Sequence, residues 1–177
     1  PLTGGVAMYR GGAGRLPQHI HMVGIGGIGL SAIARVLACW GYSVTGSDLQ
    51  ALAITRDLNA LGVATFVGHA PEQIVGADLV VISSAVPEHN PEVRAARQAG
   101  VPVIKRQQLL ADMMADRQGI AVAGTHGKTT TSAMIAVSLT RLGLDPTFIV
   151  GGIIAELGAN ARAGDGPHFV IEADEYD

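Results

Sequence analysis

The densest chemistry in this sequence lies in eight residues, Gly124-Thr125-His126-Gly127-Lys128-Thr129-Thr130-Thr131. Gly127, Lys128 and Thr129 reproduce the G-K-[ST] end of a phosphate-binding loop, in which the lysine reaches the β- and γ-phosphates and the hydroxyl meets Mg2+. The full motif needs another glycine where this chain has Val122, so the loop is a shortened variant. The same chemistry needs an acid at the end of a neighbouring strand to hold the metal. Glu172 in HFVIEADE supplies one, with Asp174 and Glu175 just after it. The expected ATP-binding set is therefore Gly124, Thr125, His126, Gly127, Lys128, Thr129 and Thr130. Within it Lys128 is the expected catalytic group, and Thr129 and Glu172 are the expected metal ligands, with ATP and Mg2+ as cofactors. His126 could approach a phosphate or pack on the turn, and it is not assigned as a base.

A second constellation lies upstream. Gly24, Gly26 and Gly29 form G-x-G-x-x-G, with Gly27 as a further small residue. After a strand and before a helix, such glycines permit a tight turn and close backbone approach, and the helix N-terminus offers N–H groups to a diphosphate. Asp48, 19 residues beyond Gly29, is placed to accept hydrogen bonds from ribose hydroxyls. A nicotinamide dinucleotide and a sugar nucleotide both carry a diphosphate and a ribose, so this motif alone leaves both open. His69, Ser83, Ser84 and Asn90 follow strand-like runs, and ligands of open α/β sheets bind beyond strand C-termini.

Both loops require a strand before and a helix behind, and the hydrophobic pattern provides them. HIHMVG, YSVTGS, ATFVG, LVVISSAV and VPVIK read as strands. Ile28–Trp40, Ala51–Leu61, Pro91–Ala99 and Gln107–Ala115 read as helices. A new cycle begins with GIAVAG and a helix over Lys128–Leu142. Thr147–Val150 and His168–Ile171 add two short strands, joined by a Gly- and Ala-rich connection with helical patches. Continuous apolar runs, in place of alternation, indicate a parallel sheet covered on both faces. The expected organisation is a flexible leader over residues 1–17, a Rossmann-like α/β domain over 18–116, and the start of a P-loop ATPase α/β domain over 117–177, with the boundary near Arg117.

Composition narrows the class. The 177 residues are 48% hydrophobic and 15% charged, which excludes intrinsic disorder. The 24 glycines are about twice the usual share but follow no collagen period. A net charge of −3 gives no broad footprint for nucleic acid or an anionic membrane. Cys39 is the only cysteine, which rules out an intrachain disulfide and suggests a reducing compartment, with helix packing as its expected role. No apolar run approaches the length of a membrane span, and Pro1–Gly14 lacks a secretory signal. A soluble cytoplasmic protein is expected.

A sugar-nucleotide-type turn followed about one domain later by GTHGKTTT and EADE resembles the Mur ligases, the ATP-dependent amino-acid ligases of peptidoglycan precursor synthesis. The carrying segments are HMVGIGGIGLSAIA with GSDL, VISSAV with NPEV, IAVAGTHGKTTTSAMIA, DPTFIVGG and VIEADEYD. GTHGKTTT is shared with a wider superfamily that includes folylpolyglutamate synthases, whereas GIGGIG with GSD narrows the acceptor to a muramate type. GIGGIGL is similar to the members that join L-alanine to UDP-N-acetylmuramate. A recycling ligase that attaches a murein peptide to the same acceptor is the nearest rival. EADEYD suits it equally, but its first turn resembles GICGTFM.

The resemblance implies that Gly24, Ile25, Gly26, Gly27, Ile28, Gly29, Ser31, Asp48, His69, Ser83 and Ser84 contact the UDP-substrate. It also implies that ATP phosphorylates the substrate carboxylate to an acyl phosphate, which the amino acid attacks to give an amide, ADP and phosphate. The family closes its site between three domains, so the segment here is expected to bind the UDP-substrate without turnover. A nicotinamide-dependent oxidoreductase would leave GTHGKTTT and EADE unexplained. A non-catalytic nucleotide-binding module would be marked by loss of Lys128 or Glu172.

Overall fold

The computed structural model describes residues 16–173. Five βα-type steps come first: β1 (His19–Val23), α1 (Ile28–Cys39), β2 (Ser43–Asp48), α2 (Ala53–Ala60), β3 (Ala64–Val67), β4 (Leu79–Ile82), α3 (Pro91–Gln98), β5 (Val103–Lys105) and α4 (Arg106–Met114). Their strands form one parallel sheet in the order β3-β2-β1-β4-β5. The order reverses between β1 and β4, which pair with Val23 opposite Ile82. A ligand crevice is expected beyond the carboxyl ends of these two strands, at the switch point. All four residues of β4, Leu-Val-Val-Ile, are buried, as the continuous apolar run requires of a strand covered on both faces.

A second sheet follows, built from β6 (Gln118–Val122), α5 (Lys128–Arg141), β7 (Thr147–Ile154), β8 (Ala159–Arg162) and β9 (His168–Glu172). Its order is β6-β9-β7-β8, with β8 antiparallel to β7. The connection expected to hold helical patches is instead the hairpin of β7 and β8. Gly151 and Gly152 are poor helix formers, and Gly158, at φ 66°, closes the turn in a conformation that favours glycine.

Helix α1 explains why the two sheets hold together. Leu30, Ala32, Ile33, Ala34, Val36 and Leu37 are all buried, an apolar girth that suits a helix covered on several faces. It packs on β2 of the first sheet and on β7 and β8 of the second, and one hydrophobic core contains Ile33, Leu37, Ile149 and Phe169 together. Each fully buried Leu or Ile contributes about 1.5–3 kcal/mol. Trp40 closes the seam: its ring stands edge-on to Phe169 with centroids 5.9 Å apart, and the Arg117 guanidinium lies 4.2 Å above it. Arg117 therefore sits in a packed joint. Leu16 is buried in the same core, so the end of the segment expected as a leader packs on the fold, while residues 1–15 lie outside the described residues. Cys39 is exposed and takes no part in helix packing, contrary to the sequence expectation.

Candidate functional site

The Gly24–Gly29 turn leaves β1 at the switch point and is pinned from beneath. The N–H groups of Gly24 and Ile25 both donate to Ser47 O, at 2.8 and 3.0 Å, and Gly27 N donates to Gly24 O at 3.1 Å. Asp48 Oδ2 accepts from Gly26 N at 2.9 Å. The carboxylate expected at a ribose thus also braces the glycine turn. Gly24, at φ 85°, could not carry a side chain without strain, and a Cβ there would lie 2.9 Å from Ser83 Oγ. The first three N–H groups of α1, those of Ile28, Gly29 and Leu30, have no acceptor among the described residues. With no acid in the first turn, they offer an anion-binding end.

A cavity of about 420 Å³ opens beside this turn, lined by Gly24, Gly27, Asp48, Leu49, His69 and Ser83 among others. The structure therefore brings together five of the residues expected at the UDP-substrate. Others are placed differently. Ile25 is fully buried, and Ser31 is buried with its hydroxyl donating to Ile28 O at 3.1 Å, so neither side chain faces the cavity. Ser84 is exposed but does not line it. Asn90 does line it, but its side chain caps α3, with Oδ1 accepting from Glu92 N at 2.9 Å.

Behind His69 lies a polar cluster that sequence reasoning missed. Glu92, in the first turn of α3, is fully buried. Ser47 Oγ donates to its Oε2 at 2.6 Å, and His69 Nδ1 lies 3.2 Å from the same oxygen. The Gln73 amide nitrogen, assigned by the acceptors around it, donates to Oε1, and His21 Nε2 stands 3.7 Å from Oε1. The only sequence signal was the Asn90-Pro91-Glu92 start of a helix, which reads as capping.

Burial raises the Glu92 carboxyl, but the interactions with His21 and Ser47, and the nearby His69 ring, outweigh it and hold the group below its ordinary 4.5. A depressed folded-state value stabilises the fold above the ordinary value and loses that contribution as pH falls through the folded one. Glu92→Gln is expected to cost about 1–3 kcal/mol at neutral pH. The gap to the unsubstituted chain should narrow below 4.5 when thermal unfolding is followed against pH. A gap that does not change with pH would contradict this.

The second loop, between β6 and α5, is built on the same plan. Gly127 caps α5 at φ 75° with no side-chain cap and no acid in the first turn. Lys128 Nζ reaches back across the loop to Gly124 O at 2.7 Å, and Thr125, His126, Thr129 and Thr130 are exposed. The parallel register of β6 and β9 sets Val122 opposite Glu172, so the acid stands beside the loop as predicted. Thr129 Oγ1 donates to Glu172 Oε2 at 3.1 Å, and Gly151 N donates to Oε1 at 2.8 Å. Asp174 and Glu175 lie outside the described residues.

These donors fit Mg2+. A hydroxyl and a carboxylate are hard oxygen ligands, and a Cβ on Gly151 would lie 3.0 Å from Glu172 Oε2 and 3.5 Å from Thr129 Oγ1, so glycine keeps their approach open. Among the described residues no group of three or more His, Cys, Asp or Glu side chains could hold a metal. Mg2+ is usually held by one or two protein groups plus phosphates and water. Gly151 is a second contributor that the sequence did not single out.

The two motifs meet. A second cavity, of about 490 Å³, is lined by Ile28 and Gly29 from the start of α1, Arg106 from α4, and Gly151 and Glu172 from the second sheet. The Arg106 side chain crosses directly over Gly29, where a Cβ would collide with its guanidinium. Gly27 faces the first cavity and Ile28 the second, so a ligand following the glycine turn passes from one to the other.

A family model described as "Mur ligase family, catalytic domain" matches residues 19–118. The UDP-N-acetylmuramate–L-alanine ligase of Laribacter hongkongensis is 56% identical over 160 residues, which cover 90% of this chain and 34% of that protein. Among solved structures, the UDP-N-acetylmuramate-alanine ligase of Thermotoga maritima superposes with a TM-score of 0.81 at 40% identity, over 89% of this chain and 37% of that one. The UDP-N-acetylmuramate:L-alanyl-gamma-D-glutamyl-meso-diaminopimelate ligase of Neisseria meningitides gives a TM-score of 0.83 at 35% identity, over 90% and 53%. The chain spans about a third of the length of the curated relatives it matches. Among the described residues no helix is long and apolar enough to cross a membrane.

Proposed function

The chain belongs to the Mur ligase family, and on that premise we propose that it is the nucleotide-binding portion of an ATP-dependent ligase joining L-alanine to the carboxylate of UDP-N-acetylmuramate. Residues 18–116 bind the UDP-substrate, and residues 117–177 begin the ATP-binding domain. The observation that carries this assignment is the shared cavity, in which Ile28 and Gly29 stand on one wall and Gly151 and Glu172 on the other. A substrate whose nucleoside lies by Asp48 and His69, and whose diphosphate meets the open N–H groups of α1, extends its far end toward Thr129 and Glu172. An oxidoreductase would have no use for that second wall. The cytoplasm, where ATP and UDP-sugars occur together, is the compartment this function implies.

In this account the loop of Gly124, Thr125, His126, Gly127 and Thr130 cradles the ATP phosphates by its backbone, and Lys128 exchanges its contact with Gly124 O for a phosphate oxygen. Thr129 and Glu172 would hold Mg2+, which supplies positive charge to the phosphates as the γ-phosphoryl group moves to the substrate carboxylate. The amino group of alanine then displaces phosphate from the acyl phosphate. The test is an assay of the full-length protein with UDP-N-acetylmuramate and ATP, offered either L-alanine or a murein tripeptide. Alanine-dependent phosphate release with the matching product mass is expected. Turnover with the peptide alone would assign the protein to the recycling reaction instead.

A further inference from the structure

The nucleotide cavity is backed by hydrogen bonds whose direction can be worked out atom by atom. Ser47 has one hydroxyl hydrogen and gives it to Glu92 Oε2 at 2.6 Å. His69 Nδ1 stands 2.9 Å from that Ser47 oxygen and 3.2 Å from the same Glu92 oxygen. An ionised carboxylate only accepts, and a hydroxyl that has already donated its hydrogen can only accept again. Nδ1 therefore faces two acceptors and must carry a proton. In a neutral imidazole Nε2 is then the unprotonated nitrogen. Nε2 lies on the ring edge away from Glu92 and makes no hydrogen bond among the described residues. His69 lines the cavity, and its side chain keeps 14% of its exposure.

We propose that Glu92, acting directly and through Ser47, is a positioning residue that keeps the proton of His69 on Nδ1, so that in the singly protonated ring Nε2 accepts a hydrogen bond from an N–H or O–H of the bound nucleoside. This rests on the nucleotide site proposed above and adds a division of labour within it. On the nucleoside side the cavity presents two acceptors, the Asp48 carboxylate and His69 Nε2, which suit ribose hydroxyls or a pyrimidine imide N–H. On the diphosphate side the glycine turn leads to donors at the start of α1, the open N–H groups of Ile28 and Gly29, which line the adjoining cavity. An acceptor at His69 refuses a phosphate oxygen, so the polarity of the site fixes which way round the nucleotide enters. Glu92 is sealed from ligand by burial and acts only through its neighbours.

The experiment is imidazole nitrogen NMR of histidine-labelled protein, free and titrated with UDP, alongside calorimetry with UDP and with pyrophosphate. His69 should show the Nδ1-protonated pattern, with its Nε2 signal moving on UDP addition. Glu92→Gln, whose amide can donate to Nδ1, should shift His69 toward the Nε2–H tautomer and weaken UDP binding about tenfold, leaving pyrophosphate binding unchanged. Combined with His69→Ala, it should cost nothing further. If Glu92→Gln lowers only the melting temperature, with tautomer and UDP affinity unchanged, Glu92 is structural and the proposal falls. Should the variant fail to fold, the unsubstituted protein decides: an Nε2–H tautomer or an imidazolium at His69 overturns the proposal. An Nδ1–H tautomer without UDP binding overturns the nucleotide site, and the assigned ligand with it.

Discussion

Lys128→Ala is expected to lower ATP-dependent ligation by the full-length protein about a thousandfold, the scale on which a positioned charge at a developing anion contributes. Affinity for UDP-N-acetylmuramate should be unchanged, because no residue of the 124–131 loop lines its nucleoside cavity. The substitution also removes the bond from Nζ to Gly124 O, a partly buried contact whose loss costs about 1 kcal/mol. Folding is thereby separated from chemistry: a small drop in melting temperature with a near-complete loss of turnover is the expected pair of results. Phosphate release by the variant within about tenfold of the original would remove Lys128 from the centre of the reaction.

Gly24→Val should damage both the fold and the nucleotide site. The residue holds φ at 85°, a region where a β-branched side chain is an outlier, and strain of this kind costs about 1–3 kcal/mol. A Cβ would also press on Ser83 Oγ at 2.9 Å, just past the end of β4 across the switch point. The expected result is a lower denaturation midpoint and UDP-substrate binding weakened by more than about tenfold. Gly27→Ala is the contrast. Its φ of −68° suits any residue, and a Cβ there meets only Gly24 O, at 3.4 Å. It should leave stability nearly unchanged, and equal losses in both variants would contradict the role given to Gly24.

Local signals carried most of the architecture. Each G-rich turn announced its own strand and helix, and Asp48 and Glu172 stood at strand ends where a parallel sheet places ligand-facing groups. The hairpin of β7 and β8 was hidden because glycine-rich segments have no apolar period to read, and its pairing depends on a partner strand. Glu92, Ser47 and Gly151 were hidden for another reason. A buried carboxylate gains its meaning from donors far away in sequence: Ser47 lies 45 residues before Glu92. Gly151 matters only because β9 brings Glu172 to its N–H. Ile25 and Ser31 sit within a legible motif, yet their side chains turn inward, since a helix start exposes only part of its circumference.

Calorimetry of this chain with UDP-N-acetylmuramate and, in parallel, NADH tests the nucleotide assignment most directly. The expected result is saturable one-to-one binding of UDP-N-acetylmuramate that Gly24→Val weakens by more than about tenfold, with no heat from NADH. Binding of NADH without any binding of UDP-N-acetylmuramate would contradict it.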